Sequence, residues 1–391
     1  MASTTTLSFH FPYPTTSTLS SHSQLSPSPQ PSQFKPCTVA SRQNLCTSNT
    51  LSVSASRKNS TSPIFLATAS GKSEPMLPPF NVLITGSTKG IGYALAKEFL
   101  KAGDNVLICS RSDERVKTAV QNLRVEFGEQ HVWGTKCDVK NAEDVKNLVS
   151  FAQEKMKYID IWINNAGSNA YSYKPLVEAS DEDLIEVVTT NTLGLMICCR
   201  EAIKMMVNQP RGGHIFNIDG AGSDGRPTPR FAAYGATKRS VVHLTKSLQN
   251  FNMVSKACDG QHGGAGTDAS GGTSGGGRGH GSGRFANFQS QAELRMQDVK
   301  NVVVHNLSPG MVTTDLLMSG VNTKQAKFFI NVLAEPAEVV AEYLVPNIRS
   351  VPANGSMKPT YIRFLTGLKA YSQIFSRLAF GARRNRYILE D

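Results

Sequence analysis

From Asn81 onward, apolar and polar positions follow two alternating periods. Short β-branched runs, apolar almost throughout, recur at Asn81–Thr85, Asn105–Cys109, Val132–Lys136, Ile159–Asn164, His214–Ile218 and Val302–Ser308. Between them, apolar residues fall three and four apart at Ile91–Ala102, Asp113–Phe127, Ala142–Lys157, Asp181–Val207 and Ala233–Gln249. A strand with one wet face reads as strict alternation. A near-continuous apolar strand is covered on both faces, which calls for helices on both sides of a parallel sheet. Strand–helix alternation with right-handed crossovers predicts an α/β domain built on one doubly wound sheet, spanning 80–391. Tyr361–Leu365 reads as a seventh strand.

Two segments fall outside this pattern. From Met1 to Ser73 there is no Asp or Glu, and Ser, Thr, Pro and Gln dominate. Such chain buries too little apolar surface to offset its conformational entropy and is expected to be disordered. Its Ser-rich, acid-poor, sparsely basic make-up predicts an organellar transit peptide, chloroplast rather than mitochondrial. The second segment is 250–291, where Gly263-Gly264, Gly271-Gly272 and Gly275-Gly276-Gly277 interrupt a helix. Joining Gln249 to Ala292 puts Leu294 four positions after Leu248, on the same face. The restored register marks 250–291 as an insertion: a retained intron or gene-model error, or else a tolerated surface loop. Its Cys258, His262 and His280 read as solvated linker rather than metal ligands.

The leader holds five of the 41 basic residues and none of the 30 acids, leaving 36 against 30 in the remainder. That mild excess implies no nucleic-acid partner. The seven cysteines show no CxxC spacing; Cys109, Cys137, Cys198 and Cys199 read as small buried hydrophobes. No apolar run approaches the roughly 20 residues that span a bilayer.

Candidate chemistry begins where the first strand ends. Gly86, Ser87, Thr88, Lys89, Gly90, Ile91 and Gly92 close it and open a helix. Glycines there let backbone approach a pyrophosphate, and the helix N-terminus offers free N–H donors. The fold is therefore expected to be Rossmann-type, with NADPH or NADH as cofactor. At the tip of the second strand, Cys109-Ser110-Arg111-Ser112 carries no acid for a ribose hydroxyl. Arg111, assisted by Lys89, suits a 2′-phosphate, which favours NADPH.

Tyr234 and Lys238 lie four apart on a helical pattern and so share a face. Carbonyl reduction needs a hydride and a proton. A tyrosine with an ordinary pKa near 10 is a poor acid–base group at neutral pH unless a nearby cation lowers that value. Lys238 is expected to do so. With the glycine loop, Asp138-Val139, Asn164-Asn165-Ala166-Gly167, Asn191, Tyr234-Gly-Ala-Thr-Lys238 and Pro309-Gly310 followed by Thr313, the chain resembles the short-chain dehydrogenase/reductase family. The resemblance implies that Tyr234 is the acid, that Lys238 also holds the nicotinamide ribose, and that Asn191 keeps a water for proton relay. It implies cofactor contacts from Asp138, Val139, Asn165, Ala166, Gly167, Pro309, Gly310 and Thr313. One departure stands out. The family pattern has a serine after the fifth strand, and local alignment puts Gly220 there. Ser223, a backbone N–H or Asp219 could take over its role.

The run Phe216–Gly225 and the tail Tyr361-Ile-Arg-Phe-Leu-Thr-Gly resemble the plant chlorophyll b reductases, in particular the type without membrane-spanning helices. That resemblance implies reduction of the 7-formyl group of chlorophyll b or chlorophyllide b to hydroxymethyl, in the chloroplast, peripheral to the stromal side of the thylakoid membrane. It also implies a membrane-anchored partner reductase, light-harvesting antenna and an oligomer. Leu368, Tyr371, Phe375 and Leu378 form an apolar stripe beside Lys369, Arg377, Arg383, Arg384 and Arg386. This stripe suits an anionic membrane surface, a cover for an apolar substrate, or core packing. Two other functions stay open on residues alone: another plastid carbonyl reductase, for a fatty-acyl or quinone group, and a weakly catalytic dinucleotide-binding subunit.

Overall fold

The computed structural model describes residues 74–169, 174–249, 299, 301–318 and 323–390. The leader 1–73 and the glycine-rich block 250–291 lie outside the described residues, as does the helix register expected across that block.

The strands are β1 (Asn81–Thr85), β2 (Asn105–Ser110), β3 (Val132–Lys136), β4 (Ile161–Asn164), β5 (Gly213–Ile218), β6 (Val302–Ser308) and β7 (Tyr361–Arg363). They form one sheet in the order β3-β2-β1-β4-β5-β6-β7, with every neighbouring pair parallel. Among the described residues the helices are α1 (Gly90–Lys101), α2 (Asp113–Phe127), α3 (Ala142–Met156), α4 (Asp181–Val188), α5 (Leu195–Val207), α6 (Ala232–Leu248), α7 (Asp315–Met318), α8 (Lys324–Leu333), α9 (Ala337–Ala353) and α10 (Gly367–Phe380). This is the doubly wound α/β sheet that the periodicity predicts.

Alternate residues of each central strand feed two separate cores. On one face Val82, Ile84, Val106 and Ile108 meet Leu95 and Phe99 of α1, Leu123 of α2, and Leu344 and Ile348 of α9. On the other, Leu83, Leu107, Trp162 and Ile215 meet Leu148 of α3, Met206 of α5 and Leu248 of α6. Each such side chain contributes about 1.5–3 kcal/mol by leaving water. With both faces largely dry, most polar chemistry gathers near the strand ends. At the amino ends it is structural: Asp104 accepts from Phe80 N at 3.0 Å and from Arg349 Nε at 2.8 Å.

The helix expected over Asp181–Val207 is interrupted. A π-helical turn, Thr189–Gly194, separates α4 from α5. Thr190 and Asn191 are buried in it. Such turns insert one residue into the helical ladder and are common at functional sites.

The tail resolves one open reading. No residue of α10 is buried, and Leu368, Tyr371, Phe375 and Leu378 each expose two-thirds or more of their surface, so core packing does not account for the stripe. Its charges are partly spent within the chain. Arg377 pairs with Glu390, while Arg383 and Arg386 each reach Glu335 at 2.7 Å.

Candidate active site

The strand order turns back at β1 and β4, and the loops leaving their carboxyl ends diverge there. In doubly wound sheets this is where a crevice opens and ligands bind. The glycine loop leaves β1 at this point, and Asn165 holds it from beneath. Asn165 Nδ2 donates to Thr85 O at 2.9 Å and to Gly86 O at 2.8 Å. The N–H groups of Asn165 and Ala166 both donate to Thr85 Oγ1 at 3.1 Å. The approach leaves no room for side chains. A Cβ on Gly92 would lie 2.4 Å from Asn165 Nδ2, and one on Gly86, whose φ is +62°, 2.8 Å from Ala166 Cα. Ser87 is turned inward. Its hydroxyl donates to Ile84 O at 2.6 Å and accepts from Cys109 N at 3.1 Å, tying β1 to β2 rather than facing the crevice. The donors left for a phosphate are the unsatisfied N–H groups at the start of α1, from Gly90, Ile91 and Gly92. This cradle fits a dinucleotide pyrophosphate.

Around it the sequence-expected residues are placed unevenly. Thr88 sits half-buried on the loop, and Lys89 pairs with Asp315 at 2.7 Å, both exposed. Arg111, at the tip of β2, pairs with Glu186 of α4 at 2.6 Å, and Lys140 reaches the same carboxylate at 2.6 Å. Burial pushes the Glu186 carboxyl up, but hydrogen bonds from Lys140 and Arg111 outweigh it and hold the group below its ordinary value. Asp138 caps the following turn, accepting from Lys140 N at 3.1 Å, and Val139 is buried against Gly194. Pro309 is buried, while Gly310 is exposed with φ +73°. Thr313 is directed to Glu335 O at 3.0 Å through its N–H; it is Thr314 that flanks the glycine loop, 3.3 Å from where Gly90 would carry a Cβ. Sequence spacing carried no signal for Glu186, Lys140 or Thr314.

The proton-transfer residues converge on the other side of the crevice. Helix α6 presents Tyr234 and Lys238 on one face, and it is anchored below by a buried polar chain. In that chain Trp162 Nε1 donates to Asn164 Oδ1, Asn164 Nδ2 to Asn217 Oδ1, and Asn217 Nδ2 to Thr245 Oγ1, at 2.8, 2.8 and 2.9 Å. Lys238 is buried, donates to Ile218 O at 3.1 Å, and holds its Nζ 5.7 Å from the centre of the Tyr234 ring. Asn191 Oδ1 accepts from Ser168 N at 2.7 Å; its Nδ2 donates to Ser168 O at 2.9 Å and Thr237 Oγ1 at 3.1 Å. A Cβ on Gly167 would lie 3.4 Å from Asn191 Oδ1 and 3.8 Å from Lys238 Nζ, so these three positions share one small space.

One expectation is corrected by this geometry. Lys238 does not lower the Tyr234 phenol below its ordinary value. Burial raises it, and the negative charge of Asp219 raises it further. Burial likewise pulls the Lys238 ammonium down to about 8, with Asp219 acting against that fall. Desolvation is therefore the leading influence at both groups.

Gly220 stands where the family pattern has serine, and the place is filled. A Cβ there would lie 2.6 Å from the Tyr234 hydroxyl oxygen. Ser223 is buried three residues on, with its N–H on Gly220 O at 3.1 Å and its hydroxyl directed to Asp219 and Tyr361. Cys109, Cys137, Cys198 and Cys199 are free and buried. Among the described residues no group of His, Cys, Asp and Glu could hold a metal ion, and no helix is long and apolar enough to cross a membrane.

Comparison with known proteins agrees with this geometry. The family model described as short chain dehydrogenase matches residues 81–252. The chain is 72% identical over 325 residues to Chlorophyll(ide) b reductase NOL, chloroplastic, of Arabidopsis thaliana, covering 83% of this chain and 81% of the relative. It is equally identical over 316 residues to the protein of that name from Oryza sativa subsp. japonica, covering 81% and 80%. A solved 3-ketoacyl-(acyl-carrier-protein) reductase from Brucella melitensis, complexed with NADH, superposes with a TM-score of 0.55 at 22% identity, over 74% of this chain and 98% of that one, and shows the same fold. With the glycine cradle at the sheet's switch point, Tyr234 and Lys238 on one helix face and this degree of identity, the chain belongs to the short-chain dehydrogenase family, on the branch of the NOL chlorophyll(ide) b reductases.

Proposed function

We propose that the protein reduces the 7-formyl group of chlorophyll b, or of chlorophyllide b, to a hydroxymethyl group with NADPH or NADH. The observation that carries the substrate is the 72% identity, over four-fifths of both chains, with reductases named for it. That identity favours the pigment over a fatty-acyl or quinone carbonyl.

When bound, the nicotinamide supplies hydride to the formyl carbon. The rest falls to this chain. The α1 N-terminus and the glycine cradle hold the pyrophosphate. Tyr234, its phenol raised by burial, keeps its proton at neutral pH and is ready to give it to the formyl oxygen as negative charge develops there. Lys238, cationic below about 8, stabilises the phenolate that remains. Asn191, with Thr237, fixes the Ser168 backbone beside the pair and leads the proton path back toward solvent. Ser223 supports the loop at Gly220.

The chloroplastic relatives support a plastid location, with residues 1–73 as the import leader. The exposed apolar stripe of α10 supports a peripheral position on a membrane surface; the stromal side of the thylakoid, the membrane-anchored partner reductase, the antenna and an oligomer rest on the resemblance to the chlorophyll b reductases.

Purified protein incubated with chlorophyll b and either dinucleotide tests the reading. Chromatography should show 7-hydroxymethyl chlorophyll a. A sample that binds dinucleotide but forms none of this product with either cofactor overturns it.

A further inference from the structure

The loop after β5 departs from the family pattern at Gly220, and the residue just before it is a buried acid. Asp219 is 2% exposed. Burial raises its carboxyl above the ordinary value, and the charge persists only as far as its surroundings hold it. Groups from four directions face it. From β7, the Tyr361 hydroxyl donates to Oδ2, and Arg363 lies 3.9 Å from the centre of the Tyr361 ring. From the end of β6 comes the Ser308 hydroxyl, and from its own loop the Ser223 hydroxyl. From α6 come the Lys238 ammonium and the Tyr234 phenol.

The Tyr361 contact crosses β6. Asn217 is paired with Asn306, and Asn306 with Tyr361, so the tyrosine reaches over β6 to an acid two residues beyond its own level. It joins the outermost strand to the catalytic loop. The next residue, Gly220, has no side chain, and the Tyr234 hydroxyl lies 2.6 Å from where its Cβ would be, beside the peptide that Asp219 anchors. Whatever fixes Asp219 therefore fixes the floor beneath the proton donor.

We propose that Asp219, held by Tyr361, is the positioning residue of this active site: by charge and anchorage it sets Tyr234 and the Lys238 ammonium in their reactive arrangement. This rests on the reading of Tyr234 as the acid. The charge has a signed consequence. A negative Asp219 stabilises the ammonium and disfavours the phenolate, so it raises both groups. Removing it lowers both, and each change makes the active protonation state, neutral tyrosine beside charged lysine, disappear at lower pH.

The test is the pH profile of kcat and kcat/KM for chlorophyll b reduction in wild type, Asp219→Asn, Tyr361→Phe and Tyr234→Phe. Asp219→Asn keeps the shape of the side chain and should move the alkaline limb to lower pH by about one unit, with a lower plateau. Tyr361→Phe removes one donor on an outer strand and should move the limb the same way by less, because Asp219 is then more readily protonated. Dinucleotide affinity, read by fluorescence, checks that each variant is folded. If Tyr234→Phe abolishes turnover while both other variants keep the wild-type limb, Asp219 and Tyr361 are structural only and the proposal fails. A Tyr234→Phe enzyme of near wild-type rate overturns the acid assignment on which the proposal stands.

Discussion

Restoring the family serine should damage this enzyme. In Gly220→Ser the new Cβ arrives 2.6 Å from the Tyr234 hydroxyl oxygen, and 3.2 and 3.3 Å from Lys238 Cγ and Cε, where ordinary contact begins at 3.4 Å. The lysine carbons need give only slightly. The phenol must retreat by about 0.8 Å, and a misplacement near 1 Å at a reacting group costs about 10²-fold in rate. Overpacking adds about 1–3 kcal/mol of destabilisation, which a melting curve reads directly. Against this stands the gain of an oxyanion donor, worth about 2.7–4 kcal/mol in enzymes built around one. Here a Cβ at 220 collides with the Tyr234 hydroxyl before any donor is in place, so displacement should win. Gly220→Ala separates the two effects, since it brings the same Cβ without the hydroxyl. Steady-state kinetics with chlorophyll b should show both variants slowed by about 10²-fold, with dinucleotide affinity nearly unchanged. Wild-type or faster turnover by Gly220→Ser would refute the steric argument and show that the tyrosine adopts another position during reaction.

Further outcomes follow from other contacts. Tyr234→Phe should lower kcat by about 10²–10⁴-fold and leave dinucleotide binding intact; near wild-type turnover is the contrary result. Arg111→Ala should weaken NADPH more than NADH, whereas Glu186→Gln, which releases Arg111 and Lys140 from their shared carboxylate, should tighten NADPH; fluorescence titrations with both dinucleotides check this, and equal changes for both cofactors count against it. The buried pair His214 and His305, with Nδ1 and Nε2 3.1 Å apart, makes stability acid-sensitive. Burial lowers His214 to about 4 and lowers His305 as well, so their stabilisation is present above an unfolded value near 6.5 and is lost as pH falls toward about 4. The slope should be on the order of 1.4 kcal/mol per pH unit for each proton taken up, and a melting temperature flat across that window argues against it.

The amino-acid sequence by itself determined what depends on local geometry. Near-continuous apolar runs fixed both faces of the strands, and every strand expected from the pattern is present in the parallel sheet. The glycine spacing marked the turn from β1 into α1, and the four-residue interval placed Tyr234 and Lys238 on one face, because a helix repeats every 3.6 residues whatever surrounds it. Tertiary structure alone decided the electrostatics. Arg111 meets Glu186 from 75 residues away, and Tyr361 meets Asp219 across 142. No period in the chain encodes such meetings; the sheet order brings them about. The sign of the Tyr234 shift lay beyond reach for the same reason. A cation one turn away argues for a lower value, but desolvation depends on how completely the fold surrounds the phenol, and here burial, with the charge of Asp219, raises it. Gly220 makes the same point at shorter range. The sequence displays a missing serine, and only the packing reveals that the hydroxyl of Tyr234 leaves no room for a side chain there.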